Sequence, residues 1–285
     1  MLELDRVAKR FGDVVACADV SLTVRYGEVH AVAGGGKTTV ARIAAGVLTP
    51  DDGAVRRSGE RLGYLPASRG LYPRMKVLDQ LEYLAALHGL DASSALRSAE
   101  LWAARFGLRA VRFDRVRQLP AEDQRRLWLA AAFVGAPDVL VLDEPFDGLD
   151  PETAEAVVTV VREFATAGAA VLLATDEPSV VEGLCDRATL LHNGRVVTEG
   201  AVSELRAAAR VELEVSAPSA PPDWADGLPG VSILSVHNGH FRLALTDGAD
   251  DQAVLAAAMA AGPVRSFTVV RTGLAELFRD VVGAP

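Results

Sequence analysis

The sequence predicts an α/β fold in which helices cover both faces of a parallel sheet, with a small α+β domain after it. Three observations support this prediction. Short apolar segments alternate with helical segments up to about residue 209, a glycine run separates one apolar segment from an alanine-rich helix, and a proline-rich stretch near residue 220 precedes a new hairpin signal.

The individual elements follow from hydrophobic periodicity. Residues 1–28 alternate apolar and polar side chains, which predicts half-buried, antiparallel N-terminal strands. A helix is predicted from Thr38 to about Val47, and residues 73–135 are helical by pattern, which indicates a helical lobe inserted into the sheet domain. Near-continuous apolar segments predict the buried strands of a parallel sheet at residues 28–33, 61–65, 138–143, 169–175 and 188–192.

Two domains are predicted, a sheet domain over residues 1–209 and a small α+β accessory domain over residues 210–285. The proline-rich residues 217–222 predict a break that a protease would cut. Asn238-Gly239, flanked by apolar segments, predicts a tight hairpin. The segments that complete the accessory domain are strands at 231–236, 241–245 and 265–270 and helices at 250–261 and 274–282.

Composition narrows the possible functions. Of the 285 residues, 50% are hydrophobic and 24% are charged, which is typical of a globular protein. The formal net charge of -9 argues against bulk nucleic-acid binding, which favours a basic face. Cys17 and Cys185 follow no metal-ligand spacing and are expected to be reduced core thiols. No secretory signal is recognisable, and no segment reaches the roughly 20 apolar residues of a spanning helix, so any role at a membrane would need another chain to cross it.

The most informative segment is the apolar strand at 138–143, which ends in two carboxylates, Asp143 and Glu144. Ligands bind at the carboxyl ends of strands in open α/β sheets. In a nucleotide site Asp143 would hold Mg²⁺, and Glu144 would polarise the attacking water as general base. The alternative is an acidic strand end followed by a turn, but the sequence Asp-Gly-Leu-Asp-Pro at residues 147–151 follows at once.

A glycine run lies between a predicted strand and a predicted helix, where backbone N–H groups can face phosphates. Its lysine adds a positive charge, and the hydroxyl of Thr38 can ligate Mg²⁺. The alternative is a flexible helix entry with a solvated lysine. The candidate nucleotide-binding residues are Gly34, Gly35, Gly36, Lys37, Thr38 and Thr39.

These two motifs, in this order, resemble the ATP-binding subunits of ABC transporters, specifically exporters of the sodium-efflux and drug-export type. The resemblance implies a P-loop NTPase core, with Phe11 stacked on adenine and ATP and Mg²⁺ as cofactors. It also implies a second ABC ATPase chain, an integral membrane permease, no nucleic-acid partner, and a cytoplasmic location at the inner face of the cell membrane. The resemblance to the exporter branch comes from residues 63–73 and from the tail after residue 222. Residues 184–187 and 193–197 resemble the strand and hairpin that close the domain in the family.

Four motifs depart from the family pattern. About three residues are missing from the phosphate loop before Lys37, Ala67 stands at the Q-loop position, and Asp176 replaces the switch histidine. The signature loop has Pro120, which lacks a hydroxyl and an N–H, and Glu122, which places a carboxylate where a glycine would approach the γ-phosphate. We therefore expect an energy-coupling subunit whose own ATP binding and hydrolysis are impaired. The alternative is a non-catalytic regulatory or structural module on an ABC ATPase scaffold.

Overall fold

The computed structural model describes residues 1–67, 70–207, 211–246 and 249–271. The chain divides into two compact units, the first comprising Met1–Val202 and the second beginning at Ser203. The first unit thus ends earlier than residue 209. Val202 still belongs to it because its N–H donates to the carbonyl of Asp186.

The first unit contains nine described strands and six described helices, and α7 begins at its last described residue, Val202, and continues in the second unit. The strands are β1 Leu2–Phe11, β2 Val14–Val24, β3 Val29–Gly34, β4 Asp52–Arg57, β5 Leu62–Leu65, β6 Val139–Asp143, β7 Ala170–Ala174, β8 Arg187–His192 and β9 Arg195–Ala201. The helices are α1 Lys37–Ala44, α2 Val77–Leu87, α3 Ala92–Arg105, α4 Ala121–Phe133, α5 Pro151–Thr166, α6 Pro178–Leu184 and α7 Val202–Ala207.

The central sheet has the strand order β5-β6-β7-β3-β8-β9, and all its pairs are parallel except β8 with β9. Every residue of β3, β6 and β7 is buried, as expected for strands covered on both faces. The predicted parallel sheet is therefore confirmed. Its register aligns the ends of β6 and β7, so that the residues following β3, β6 and β7 meet at one edge.

A second, antiparallel sheet has the order β2-β1-β4 and confirms the predicted N-terminal antiparallel strands. β4 was not predicted, because none of its residues is buried and its side chains do not alternate in polarity. Gly53 in β4 is required by close packing. It has a φ of 83°, and a Cβ there would lie 2.4 Å from the carbonyl oxygen of Arg6.

The helical lobe contains α2, α3, α4 and the short 3₁₀ turn Val116–Gln118. Its core is aromatic: Trp102 and Phe133 stack with ring centroids 5.3 Å apart, and Phe106 lies beside both. Phe164 from α5 packs against Phe133 at 5.3 Å, so the same cluster joins the lobe to a helix that flanks the central sheet. Packing of large aromatic surfaces accounts for the position of the inserted lobe.

In the second unit, one four-stranded antiparallel sheet has the order β11-β12-β10-β13. The predicted hairpin is present, and Asn238 and Gly239 have φ values of 50° and 76°, the left-handed pair that a tight hairpin requires. The predicted last helix, 274–282, lies outside the described residues. The elements are β10 Val211–Ser216, β11 Val231–His237, β12 His240–Leu245, α8 Asp251–Ala261 and β13 Ser266–Arg271.

The prediction that residues 217–222 form a break between domains is wrong. They follow β10, which pairs with both β12 and β13, and therefore lie inside the second unit. Ala217 is fully buried and its N–H donates to the carbonyl of Gly239. The proline-rich stretch is an internal loop because β10, which periodicity did not reveal, precedes it.

Candidate functional site

The parallel register brings three loops together at the carboxyl edge of the central sheet. The loop from Gly34 to Gly36 leaves β3 and enters α1. β6 ends at Asp143 and Glu144 follows it, and Asp176 lies just beyond β7. The glycine loop and the two carboxylates Asp143 and Glu144, called the Walker B carboxylates below, are thus neighbours at this edge. Helix α1 begins at Lys37 and ends at Ala44, which is shorter than the predicted span.

Thr38 and Asp143 form one half of the site. The Thr38 hydroxyl donates to Asp143 Oδ1 at 3.0 Å. Asp143 is fully buried, and among the described residues its Oδ2 has no hydrogen-bond partner. Burial raises the pKa of Asp143, an effect that the Thr38 hydroxyl and the positive charges of Arg42 and Lys37 partly oppose. A buried carboxylate oxygen without a partner, next to a hydroxyl, is a donor set that fits Mg²⁺.

Lys37 lies between two carboxylates in the other half of the site. Its Nζ is 3.2 Å from Glu144 Oε1 and also contacts Asp176 Oδ2. Burial alone would lower the pKa of Lys37, but Asp176 and Glu144 together raise it. The lysine is therefore held as a cation and is already paired within the chain.

The backbone of Glu144 is fixed in an uncommon conformation. Its φ is 50°, in the left-handed region that few non-glycine residues adopt. The N–H of Glu144 donates to the carbonyl of Ala174 at 2.9 Å, and its own carbonyl accepts from Arg125 at 2.6 Å. Burial raises the pKa of Glu144, while Lys37 opposes that shift. A carboxyl with a raised pKa is suited to accept a proton near neutral pH.

Asp176 makes the most unexpected contacts in the site. Its Oδ1 accepts the N–H of Gly34 at 2.7 Å, and its Oδ2 accepts from Lys37. The preceding residue, Thr175, is fully buried and donates its N–H to the carbonyl of Val32 at 3.1 Å, which fixes the start of this loop. From the sequence, Asp176 is recognisable only as a replacement of the switch histidine, whereas its contact with the glycine loop depends on the tertiary structure.

The glycines of the loop are required by tight packing. Gly34 has a φ of 93°, and a Cβ on it would lie 1.9 Å from the carbonyl oxygen of Leu191. Gly36 has a φ of 106°, and its Cβ would lie 2.3 Å from the carbonyl oxygen of Ala16. The carbonyl of Gly35 accepts the N–H of Gly194 at 3.0 Å. The short loop therefore packs directly on β2 and on the β8–β9 hairpin.

Thr39 and Phe11 are the remaining residues predicted to bind nucleotide. Thr39 occupies the first turn of α1 and is half-buried. Phe11 ends β1, and half of its side chain is exposed, which leaves a ring face available for stacking. The assignment of Phe11 to adenine binding stays a prediction.

The signature segment lies at the start of α4. Pro120 occupies the N-cap position, and Glu122 and Asp123 lie in the first helical turn. Their negative charges stabilise the helix by interacting with its dipole, and they repel an approaching anion. Glu122 contacts Arg126, whose guanidinium also reaches Asp150 at 3.2 Å. A cavity of about 640 Å³ opens between this turn, the Q-loop position and residues 147–150. Its lining includes Ala67, Glu122, Arg125, Trp128 and Asp147.

Sequence reasoning missed four residues that shape these sites: Arg42, Tyr64, Arg125 and Arg126. Arg42, from α1, lowers the pKa of Asp143 through its positive charge. Burial first, and the charge of Asp143 next, raise the pKa of Tyr64 on β5. Arg125 and Arg126 follow the signature position, but no local pattern identifies which backbone carbonyl or carboxylate they bind.

Family models match both parts of the chain. A model described as ABC transporter matches residues 17–147, and one described as ATP-binding protein DrrA1-3-like, C-terminal domain, matches residues 200–282. A third, described as AAA domain, putative AbiEii toxin, Type IV TA system, matches residues 124–182.

Several proteins are similar over most of the chain. An uncharacterised ABC transporter ATP-binding protein of Alkalihalophilus pseudofirmus is 31% identical over 88% of this chain and 97% of its own length. The daunorubicin resistance ATP-binding protein DrrA3 of Streptomyces coeruleorubidus is 36% identical over 72% of this chain and 70% of its own. The Nod factor export ATP-binding protein I of Paraburkholderia xenovorans is 33% identical over 72% of each.

Solved structures agree with the sequence matches. The structure of an ATP-binding subunit of an ABC transporter superposes with a TM-score of 0.68 at 25% identity, over 73% of this chain and 92% of the other. A dimeric ATP-binding cassette bound to ADP and Pi, 20% identical, gives a TM-score of 0.65 over 70% of this chain and 98% of the other, which shows the shared fold.

The parallel sheet, the glycine loop that leads into α1, and the paired carboxylates at the end of β6 define a P-loop NTPase of the ATP-binding-cassette class. With the sequence matches above, the chain belongs to the ATP-binding subunits of ABC transporters and has a DrrA-like C-terminal domain. It is exporter-like, as its drug-resistance and Nod-factor-export relatives are. Among the residues that the structure describes, no helix combines the length and apolar character needed to cross a membrane.

Proposed function

We propose that this chain is the energy-coupling subunit of an ABC exporter and that its own ATP binding and hydrolysis are impaired. The observation that carries the proposal is the state of Lys37, which lies beside the Walker B carboxylates but is already paired with Glu144 and Asp176. The site retains the parts of a nucleotide site, and its central cation is engaged within the chain.

The retained parts have distinct roles in this proposal. Asp143 and Thr38 would hold Mg²⁺, which supplies charge neutralisation to a bound triphosphate. Glu144 would orient and deprotonate the attacking water, since its carboxylate lies at the edge of the site and its pKa is raised by burial. Phe11 would stack on adenine, and Gly34 and Lys37 would face phosphate.

The proposed impairment rests on charge and on lost donors. A like charge about 4 Å away costs roughly 4 kcal/mol at an effective dielectric near 20. Asp176 is 40% exposed, so solvent screens part of this cost, but even half exceeds a tenfold loss of affinity. Ala67 offers no side-chain ligand, and Pro120 with Glu122 would present an acidic turn to nucleotide bound by a second chain. Losing one well-placed donor costs about 100- to 1,000-fold in rate.

Phosphate release tests this proposal. We expect the wild-type chain and Glu144→Gln to release phosphate from MgATP at similarly low rates. A repaired variant, with three loop residues restored before Lys37 and with Asp176→His, Pro120→Ser and Glu122→Gly, should release it much faster. Ordinary turnover by the wild type that Glu144→Gln abolishes would show that the site is not impaired.

The proposed partners are an integral membrane permease and a second ABC ATPase chain, at the cytoplasmic face of the cell membrane. The supporting surface is the segment before α2, where Tyr72 is exposed and meets Tyr83 edge-on with ring centroids 6.0 Å apart. Co-purification from membranes with a co-expressed six-helix permease tests the first partner. Tyr72→Ala should weaken that association, and Phe113→Ala, at another exposed ring of the lobe, serves as the matched control.

The alternative proposal is a non-catalytic regulatory module on the same scaffold. The acidic first turn of α4 favours it, because a chain that contributes no effective signature loop would serve its partner mainly through binding. An exporter whose transport is unaffected by Lys37→Ala in this chain would support the alternative.

A further inference from the structure

The carboxylate of Asp176 uses the same two donors that a phosphate group would use. Its Oδ1 accepts the N–H of Gly34 at 2.7 Å, and its Oδ2 accepts from the ammonium of Lys37. A glycine-loop N–H group and a lysine at the start of a helix are the standard donors to a nucleotide phosphate. The carboxylate of Asp176 therefore occupies donors that would otherwise be available to a nucleotide phosphate.

We propose that Asp176 is a tethered competitor for nucleotide phosphate, which must displace the carboxylate from Gly34 and Lys37 in order to bind. This inference rests on the proposed function, since it explains why the site binds nucleotide weakly.

The tether makes the competition effective. Asp176 lies one residue beyond Thr175, which is fully buried and bonded to Val32, so the carboxylate cannot move far from the loop. A group attached by so short a segment acts at an effective concentration of about millimolar or higher. The tether therefore makes the carboxylate a stronger competitor than the same anion free in solution, and in the structure the carboxylate occupies the position.

The contact also remains open to exchange. The Asp176 side chain is 40% exposed, whereas that of Lys37 is only 16% exposed. Phosphate can thus approach the donors Gly34 and Lys37 from solvent. Binding requires that the Asp176 carboxylate leave, whereas Lys37 stays in place. Displacement frees Lys37 from one of its two carboxylate partners, and Glu144 remains beside it at 3.2 Å.

The proposal specifies which part of the nucleotide competes. The lysine of a glycine loop contacts the β- and γ-phosphates. Removing Asp176 should therefore strengthen the binding of ATP and ADP, and it should leave AMP unaffected because AMP has neither phosphate.

The test is equilibrium binding of ATP, ADP and AMP to the full-length chain by isothermal titration calorimetry with Mg²⁺ present. Asp176→Ala should lower the Kd for ATP and ADP by at least about tenfold. Asp176→Asn should lower it by less, because an amide oxygen can still accept from Gly34 but carries no charge. The matched control is Glu177→Ala, which removes the adjacent exposed carboxylate and should change each Kd by less than about twofold.

An unchanged or raised Kd in both Asp176 variants would overturn the proposal, as would an equal gain for AMP. Thermal unfolding without nucleotide checks that each variant is folded, and Asp176→Asn keeps the test valid if the alanine variant is not. The wild-type turnover rate tests the proposed function separately. If the wild type hydrolyses ATP well and Asp176→Ala still binds ATP tenfold more tightly, only the impaired function is rejected and the competition by Asp176 stands.

Discussion

Three carboxylates and one ammonium group dominate the site at the scale of single residues. Asp143, Glu144 and Asp176 come from two strand ends, and Lys37 is the cation that two of them contact directly. Burial raises the pKa of Asp143 and of Glu144, so the site favours the protonated form of each more than water does. The stability of the chain should therefore depend on the ionisation of these groups.

The burial of Asp143 leads to a pH-dependent expectation. The pKa of Asp143 in the folded state is raised above the ordinary value of 3.8, so between these two pKa values the folded state binds more protons than the unfolded state. The protonated carboxyl therefore stabilises the wild type at low pH, and this stability is lost as pH rises through the folded pKa. Asp143→Asn is neutral at every pH. We expect the stability of Asp143→Asn relative to wild type to rise as pH increases above about 4, measured by urea unfolding without Mg²⁺. A stability difference that stays constant with pH would contradict the assignment of a buried carboxyl with a raised pKa.

Gly34 gives a second expectation at the residue scale. Its φ is positive, and a Cβ on it would lie 1.9 Å from the carbonyl oxygen of Leu191, so there is no room for a side chain. We expect Gly34→Ala to destabilise the chain by about 2–4 kcal/mol, from the left-handed backbone and from overpacking. Gly148→Ala is the matched control, since Gly148 has a φ of 66° but no atom within 4 Å of its Cβ position, and should cost only about 1 kcal/mol. Equal losses in chemical unfolding would show that backbone conformation alone matters at Gly34.

At the scale of elements, the aromatic cluster determines how the helical lobe packs. Phe133 of α4 stacks on Trp102 and Phe106 of the α3 region and packs on Phe164 of α5. It is fully buried, so it holds three parts of the chain together through one side chain.

We expect Phe133→Ala to lower the free energy of unfolding by about 3–5 kcal/mol, because it leaves a cavity where its ring packed against three others. Phe113→Ala is the control, since Phe113 is 58% exposed and should change stability by only about 0.5 kcal/mol. Chemical unfolding followed by tryptophan fluorescence measures both, because Trp102 lies in the cluster. A loss below about 1 kcal/mol for Phe133→Ala would mean that the lobe repacks around the missing ring.

At the scale of the whole molecule, the chain contains two compact units whose boundary the sequence places only approximately. The proline-rich residues 217–222 indicated a break, but β10 precedes them and forms the centre of the second sheet. A truncation within the proline-rich stretch would therefore leave β10 attached to the first unit without its partners, β12 and β13.

We propose that the units fold separately and expect a chain truncated after Ala207 to unfold cooperatively. A chain truncated after Ser216 should be less soluble, because it exposes the unpaired edges and the apolar face of β10. Circular dichroism on heating and size-exclusion chromatography distinguish the two. Failure of the shorter chain to fold would show that the first unit depends on the second.

The sequence by itself determined the class of the fold and the chemical inventory of the site. Apolar strands, the glycine run and the adjacent Asp143 and Glu144 are local patterns, and each predicts its own element without information from the rest of the chain. A strand that ends in carboxylates and a strand that ends in glycines must meet at one edge if both belong to one parallel sheet. The site was predictable to that extent.

Only the tertiary structure decided which of these groups contact one another. Asp176 and Gly34 are 142 positions apart in the chain, and their hydrogen bond depends on β7 and β3 being neighbours in register. The polar strand β4 likewise forms because β1 offers it a free edge. Local periodicity reflects the burial of each element, whereas strand order and register depend on the packing of the whole core, and that is why the occupied state of Lys37 could not be inferred from the sequence.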